Sequence, residues 1–403
     1  MLPFIALLAA VKTGSAAAAL SSYMSPPPVS TIEPSLTQIE KAAATALSLS
    51  PVSNVKGAAF DRFYQIWLEN TDYSSAASDL NVKKLSAQGI TLTNYWAVTH
   101  PSEPNYCAVA GGDYFGMDND NFNRIPANVS TVVDLLDVKG ISWAEYQEHE
   151  PYPGFQGFNY SNQATYTNDY VRKHNPLILY DSVIQNQTRL ELIKNFTGFN
   201  NDLKNQRLPQ WAFFTPNMTN DGHDTNVTVA VQWSYDFLIP LLNNDYFSKD
   251  TLIILTFDEN ESYAQHNKVF TLLLGGAVPE HLRGTTDDTF YTHYSNIASV
   301  SQNWALPSLG RWDCHANVFQ LVTDMTGYKT QQFDTKNLYL NQSYPGPMSA
   351  KEYVPIWPVP TTDKTCANGM GVLSSVAKTW GGMKPTLYDY SQDCVGNLGG
   401  SAG

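Results

Sequence analysis

"TLIILTFDEN", residues 251–260, decides the fold class. Its first seven residues are apolar or β-branched, with no alternation of polar positions. That is the pattern of a strand buried on both faces, as in a parallel sheet covered by helices. The run then stops abruptly in Asp258, Glu259 and Asn260. "FDRFYQIWLEN" (60–70) repeats the pattern and ends in Glu69 and Asn70. Outward from these two, strand-like segments "TLTNYWAV" (91–98), "ISWAEYQE" (141–148), "PQWAFFTPN" (209–217) and "KVFTLLLGG" (268–276) alternate with helical ones. The helical segments are "PNYCAVAG" (104–111), "VSTVVDLLDVKG" (129–140), "TVAVQWSYDFLIPLLNN" (228–244), "HYSNIASVSQNW" (293–304) and "DCHANVFQLVTDM" (313–325). Alternation of this kind predicts an α/β protein with a largely parallel central sheet flanked by helices. In such sheets the chemistry gathers at the carboxyl ends of the strands.

The rest of the chain divides around that core. "MLPFIALLAAVKTGSAAAAL" reads as a secretory signal, with small residues around Ala16–Ala19 for cleavage, so residues 1–19 are expected to be a signal peptide. Residues 20–56, rich in Ser, Pro and Ala, form a lead-in with a short helix in "TQIEKAAATALSL". Residues 57–345 form the catalytic domain, in which 151–205, rich in Asn, Tyr and Gln, is a long loop insertion. Residues 346–403 are a Pro- and Gly-rich extension packed on the same domain. No later stretch has the length of a membrane span.

Composition narrows the function. With 24 basic and 37 acidic residues the net charge is −13, which repels nucleic acid and anionic membranes. An anionic substrate must therefore be drawn in locally. Eight N-x-S/T sequons, at Asn128, Asn159, Asn186, Asn195, Asn217, Asn226, Asn260 and Asn341, predict a secreted glycoprotein, extracellular or in a cell wall. The four cysteines suit an oxidising compartment and allow three pairings. Cys107 and Cys314 sit near core motifs and Cys366 and Cys394 share the tail, so Cys107–Cys314 and Cys366–Cys394 are expected.

The acids at the strand ends have an ordinary use as helix caps. Two such clusters at the ends of apolar strands point instead to a hard divalent cation, which prefers oxygen donors. Ser102, in "VTHPSEPNYCAVAGG" (98–112), has two readings as well. Ser102 or Glu103 is well placed to cap a helix whose first residue is Pro104. The same position suits a nucleophile, because helix N-terminal amides attract phosphate and a metal on the hydroxyl stabilises the alkoxide. Four histidines lie in polar loops: His100, His174, His223 and His293. An ordinary imidazole is protonated below about pH 6.5, attracts phosphate and can protonate a leaving alkoxide. His223 and His293 are the preferred acids, with His174 next. His149, His266, His281 and His315 are read as structural.

Taken in order, "LEN", "THPSEPNY…GG", "TPNMTNDGHD", "TFDEN" and "THYSN…NWALPSLGRWD" resemble the secreted acid phosphatase branch of the phosphoesterase family, which also contains bacterial phospholipases C. The resemblance covers roughly residues 57–330 and extends to the alkaline-phosphatase superfamily, so it implies an alkaline-phosphatase-like fold. It implies that Ser102 is the nucleophile. Glu69, Asn70, Ser102, Asp258 and Glu259 fall on metal positions, and Asn105 falls on a phosphate-oxygen donor. His100, His174 and Asp221 are assigned to substrate binding. Glu259 stands where two-zinc enzymes carry histidine, and their Asp-x-x-x-His spacing is missing. One divalent ion (Mg, Mn, Ca or Zn) is expected rather than two zincs. The reading is a metal-dependent phosphomonoesterase, with small phosphate esters as substrates, acting through a phosphoserine at acid pH. Its rivals are a phospholipase C or other phosphodiesterase on the same scaffold, and a non-catalytic glycoprotein that binds phosphate or sugar. A serine esterase is disfavoured, because no G-x-S-x-G elbow occurs.

Overall fold

The computed structural model describes residues 30–363, 365, 366, 369–384, 388 and 390. The expected signal peptide at 1–19 and Cys394 lie outside the described residues. Eight strands form the central sheet: β1 (Arg62–Leu68), β2 (Ile90–Leu92), β3 (Trp143–Gln147), β4 (Ile193–Asn195), β5 (Trp211–Thr215), β6 (Thr251–Phe257), β7 (Thr271–Leu274) and β8 (Thr285–Asp287). Their order is β8-β2-β7-β6-β1-β5-β3-β4. Only β7 runs antiparallel to its neighbours. The chain returns from β6 to β7 without a helix, so no crossover turns the strand over. All other pairings are parallel. β1 and β6 lie at the centre, and all seven residues of β6 are buried.

Helices α1 (Ser102–Gly111), α2 (Val227–Leu242) and α3 (Tyr294–Trp304) pack around this sheet. Every residue of α1 is buried, so this helix belongs to the core. Gly112 ends it at φ 73°, a left-handed conformation that favours glycine. Gly111 is small for a different reason, since a Cβ there would meet the Tyr180 hydroxyl at 2.2 Å. No helix among the described residues is long and apolar enough to cross a membrane.

Three expectations are corrected. The helix expected over 313–325 is a 3-10 turn at Trp312–Cys314 followed by a short helix, Gln320–Thr326. Between them the Asn317 side chain donates to the carbonyls of Phe290 and Gln331 and accepts from the Gln331 amide, which holds the backbone extended. The 151–205 segment is more than loop, because it supplies the sheet-edge strand β4 and a small strand pair, Asn159–Ser161 with Asn168–Val171. The disulfide joins Cys314 to Cys366, in place of Cys107–Cys314 and Cys366–Cys394. Cys107 is buried inside α1 as a free thiol, 3.2 Å from the Tyr180 hydroxyl. Cys366 reaches Cys314 because the tail pairs with the 308–310 segment. The Thr361 amide donates to the Gly310 carbonyl, and the Ser308 amide donates to the Gly371 carbonyl.

Peptide mapping without reduction should recover Cys314 joined to Cys366 and leave Cys107 unreactive until the protein unfolds. The bond spans 52 residues. Cys366→Ser should lower stability in denaturant titrations by about 4 kcal/mol in the loop-entropy model. A cross-linked peptide containing Cys107 would refute the pairing.

Burial also sorts the sequons. Asn217 is 6% exposed and Asn260 is 1% exposed, so neither has room for a glycan in the folded protein. Asn341 is partly exposed, but its side-chain nitrogen already donates to the carbonyls of Tyr263 and Gln265. Asn128, Asn159, Asn186, Asn195 and Asn226 are exposed or half-buried.

Candidate active site

β1 and β6 are neighbours in parallel, and their register sets Leu68 opposite Phe257. The residues that follow, Glu69 and Asp258, therefore leave the sheet side by side. Two bonds lock the ends together: the Asp258 amide donates to the Leu68 carbonyl at 3.0 Å, and the Asn70 amide donates to Asp258 Oδ1 at 3.1 Å. The loop after β5 closes underneath, where the Glu69 amide donates to the Asp221 carbonyl at 2.9 Å.

Ser102 is not a cap but the first residue of α1, which starts just after Pro101 and two residues before the expected start at Pro104. Asn105 braces the turn before it. Its Oδ1 accepts from the Val98 amide at 3.0 Å, and its Nδ2 donates to the carbonyls of Thr99 and Pro101. Both ends of the Asn105 side chain are thus used by backbone, which gives it a positioning role rather than a donor aimed at phosphate. Ser102 Oγ lies 3.1 Å from Glu69 Oε2 and 3.4 Å from Asn70 Oδ1. The hydroxyl also interacts with the carboxylates of Asp258 and Glu259. The strand-end acids of the sequence and the serine of "PSEPNY" therefore meet in one place.

The electrostatics of that place are unbalanced. Glu69, Asp221, Asp258 and Glu259 are all essentially inaccessible to solvent. Burial first, then the charges of Asp258 and Asp221, pushes the Glu69 carboxyl well above the usual range. Burial pushes Asp258 up to about 6. Asp258 Oδ2, Asp221 Oδ2 and the carboxylate oxygens of Glu259 lack a well-aligned hydrogen bond among the described residues, although His100 stands close to Glu259 and His174 close to Asp221. Lys173 supplies one positive charge to Glu69, Asp221 and Glu259, too few to offset four buried carboxylates, and such an excess of buried charge is costly. An oxygen cradle of this kind fits a hard divalent cation.

The histidines separate. His293 is fully buried, with Nε2 2.6 Å from the Asp258 carbonyl and Nδ1 3.2 Å from the Tyr95 hydroxyl. Burial drives its pKa down to about 3. With both nitrogens occupied and the ring neutral, His293 buttresses the β6 end and does not fit the leaving-group acid expected from sequence. His100 is also buried, its Nδ1 2.6 Å from Glu259 Oε2, and burial pushes its pKa down to about 4. His174 lies between two acids, 3.2 Å from Glu69 and 3.4 Å from Asp221, with its ring stacked on Tyr106. His223 is the exposed one. Its Nδ1 meets Asp224 at 2.8 Å and its Nε2 is 3.2 Å from Lys173 Nζ. Ligand atoms of Glu69, His174 and His223 all lie within 4.8 Å of one another, a group able to hold a metal ion. His174 and His223 thus join Glu69 beside the expected oxygen set.

Three residues went unnoticed in the sequence. Lys173 pairs with Asp120 at 3.1 Å. Burial opposes its charge, but Asp120 and Glu69 outweigh that and raise its pKa, so it stays cationic. Asp120 Oδ1 also accepts from the Glu103 amide at 3.0 Å, in the first turn of α1. The Tyr106 hydroxyl donates to Glu69 Oε1 at 2.5 Å and fixes that carboxylate. Lys173 is adjacent to His174 in "RKHNP", which was the only available signal. Asp120 and Tyr106 offered none.

A serine hydroxyl at a helix N-terminus, ringed by metal-capable carboxylates at the carboxyl edge of an α/β sheet, is an arrangement suited to a hydrolase of phosphate esters. The chain belongs to the Phosphoesterase family, whose sequence pattern matches residues 53–307. It is 65% identical to an acid phosphatase of Aspergillus fumigatus over 362 residues, which is 89% of this chain and 81% of that one. It is 58% identical to an acid phosphatase of Aspergillus niger over 375 residues, covering 91% and 89%. Among solved structures, a protein in the alkaline phosphatase superfamily from Vibrio parahaemolyticus superposes with a TM-score of 0.42 at 11% identity, covering 66% of this chain and 73% of its own.

Proposed function

We propose that this chain is a secreted acid phosphatase that hydrolyses small phosphate monoesters through a phosphoserine at Ser102. The carrying observation is the position of Ser102 Oγ, 3.1 Å from Glu69 and at the start of the buried helix α1. The acid phosphatases at 58–65% identity support the same reading.

Glu69, Asn70, Asp258 and Glu259 would hold one divalent ion, which when bound favours the Ser102 alkoxide and offsets charge on the phosphate. The chain's own groups do the rest. The N-terminus of α1 and the Lys173 ammonium attract the phosphate oxygens. Ser102 releases its hydroxyl proton to solvent, and its Oγ bonds to phosphorus as the bond from phosphorus to the alcohol oxygen breaks. His223, the exposed imidazole, turns its Nε2 from the Lys173 ammonium to give a proton to the departing alkoxide. Water then displaces the serine oxygen, with His223 taking the water proton and Ser102 Oγ regaining its proton from solvent. His100 and His293 position Glu259 and the β6 end, and His174 orients Glu69 and Asp221.

Rates on ethyl phosphate, nitrophenyl phosphate and a phosphodiester lipid, from about pH 4 to about pH 8 with and without chelator, test this. Faster monoester turnover in the acid range, abolished by chelator, is expected. Faster turnover of the lipid would overturn it. Lys173→Ala should lower kcat/KM for a monoester about 10- to 100-fold, the cost of losing one charge-assisted hydrogen bond. A change below twofold would remove Lys173 from the site.

A further inference from the structure

A cavity of about 440 Å³ adjoins the segment that leads into the nucleophile. His100 and Pro101, which immediately precede Ser102, form one side. Tyr263, Asn341, Asp118 and Lys351 are among the residues that complete it. Its size is that of a small-molecule site. A phosphate held at Ser102 must project its alcohol half away from the buried carboxylates, and the wall of this cavity includes Pro101, the residue before Ser102.

The lining carries information about that alcohol. Of the ten described residues around the cavity, Pro101 is the only aliphatic one and Tyr263 the only one with a phenol ring. The others offer amides, hydroxyls, an imidazole and charges. Asp118 accepts from the Ser349 hydroxyl and from the amides of Ala350 and Lys351, and these bonds outweigh its partial burial and hold its pKa low. It therefore stays an ionised acceptor. Tyr263 stacks on the His100 ring with centroids 3.9 Å apart and planes at 28°. The residue is still 55% exposed, so ring surface remains for a ligand. The ring is also held in advance. Asn341 Nδ2 donates to the Tyr263 and Gln265 carbonyls, each at 2.6 Å, and the Ser262 amide donates to Asp72 Oδ1 at 2.9 Å. A fixed aromatic platform within a polar rim suits a saturated ring that shows C–H groups on one face and hydroxyls at its edge. An acyl chain finds almost no aliphatic surface there.

We propose that this cavity binds the alcohol half of the substrate and selects a ring polyol, so that hexose or cyclitol phosphates are preferred over open-chain alkyl phosphates, with Tyr263 as the determining residue. The proposal rests on the reading of Ser102 as the group that meets the phosphate. Calorimetry on the full metal-loaded chain in a Ser102→Ala background measures it without turnover. Glucose 6-phosphate should bind more tightly than ethyl phosphate. Adding Tyr263→Ala should weaken glucose 6-phosphate about tenfold more than ethyl phosphate, the scale of one aromatic contact. Tyr263→Phe should restore the preference, since it keeps the ring face. Equal affinity for the two esters in the parent, or equal losses in the Tyr263→Ala variant, would overturn the proposal. Turnover of ethyl phosphate by the unmutated chain is read separately. If no ester is hydrolysed while the Tyr263-dependent preference persists, the phosphatase reading fails and the pocket stands.

Discussion

Ser102→Ala should lower phosphomonoester turnover by about 10⁴-fold or more, because nothing else in the site replaces a covalent nucleophile. Ser102 Oγ sits within reach of Glu69 and Asn70. The other hydroxyls that contact Glu69 belong to Tyr106, whose proton is committed to Oε1, and to Thr71, which bonds the Glu69 carbonyl. The fold should be unaffected, since the substitution removes one oxygen at the start of a helix that Asn105 braces independently. Single-turnover rates and thermal unfolding measure both parts. A variant with a tenth of the parent activity would show that Ser102 only starts α1.

Asp258→Asn should cost at least about a hundredfold in activity and strip bound metal, because it removes a charged ligand from the cradle. Metal content by elemental analysis should fall in this variant and stay near the parent level in His223→Ala. The reverse pattern would move the ion to the Glu69–His174–His223 group. In metal-free protein the same substitution should be stabilising. Asp258 has a folded-state pKa near 6 against an ordinary 3.8, raised chiefly by burial. A carboxyl raised on folding binds more protons folded than unfolded between those values, so its contribution falls as pH rises through that window. Metal-free protein should therefore lose stability from about pH 4 to about pH 6, and Asp258→Asn should flatten that slope. An unchanged slope in the variant would mean that Asp258 is not the strained group.

Much of this was legible in one dimension, and for a physical reason. Burial on both faces forces a parallel strand to be apolar along its length, so "TLIILTFDEN" and "FDRFYQIWLEN" announce both the strand and the point where it leaves the core. An acid inside such a strand is costly and rare, Glu145 in β3 being one, so those placed directly after it stand at the sheet edge, where Glu69 and Asp258 are found. Ser102 was legible because a helix start with Pro104 has a local signature.

What local pattern cannot carry is which loops share a space. Asp120 and Lys173 are far apart in the chain and meet only because α1 and the 151–205 segment fold over the same edge. The same holds for Cys314 and Cys366, joined by a tail that pairs with the 308–310 segment. Whether a histidine works as an acid or a buttress depends on burial, which its neighbours in sequence do not reveal. His223 and His293 read alike in their motifs. The tertiary structure leaves one exposed beside Lys173 and seals the other behind Trp67 and Tyr95, where desolvation keeps it neutral.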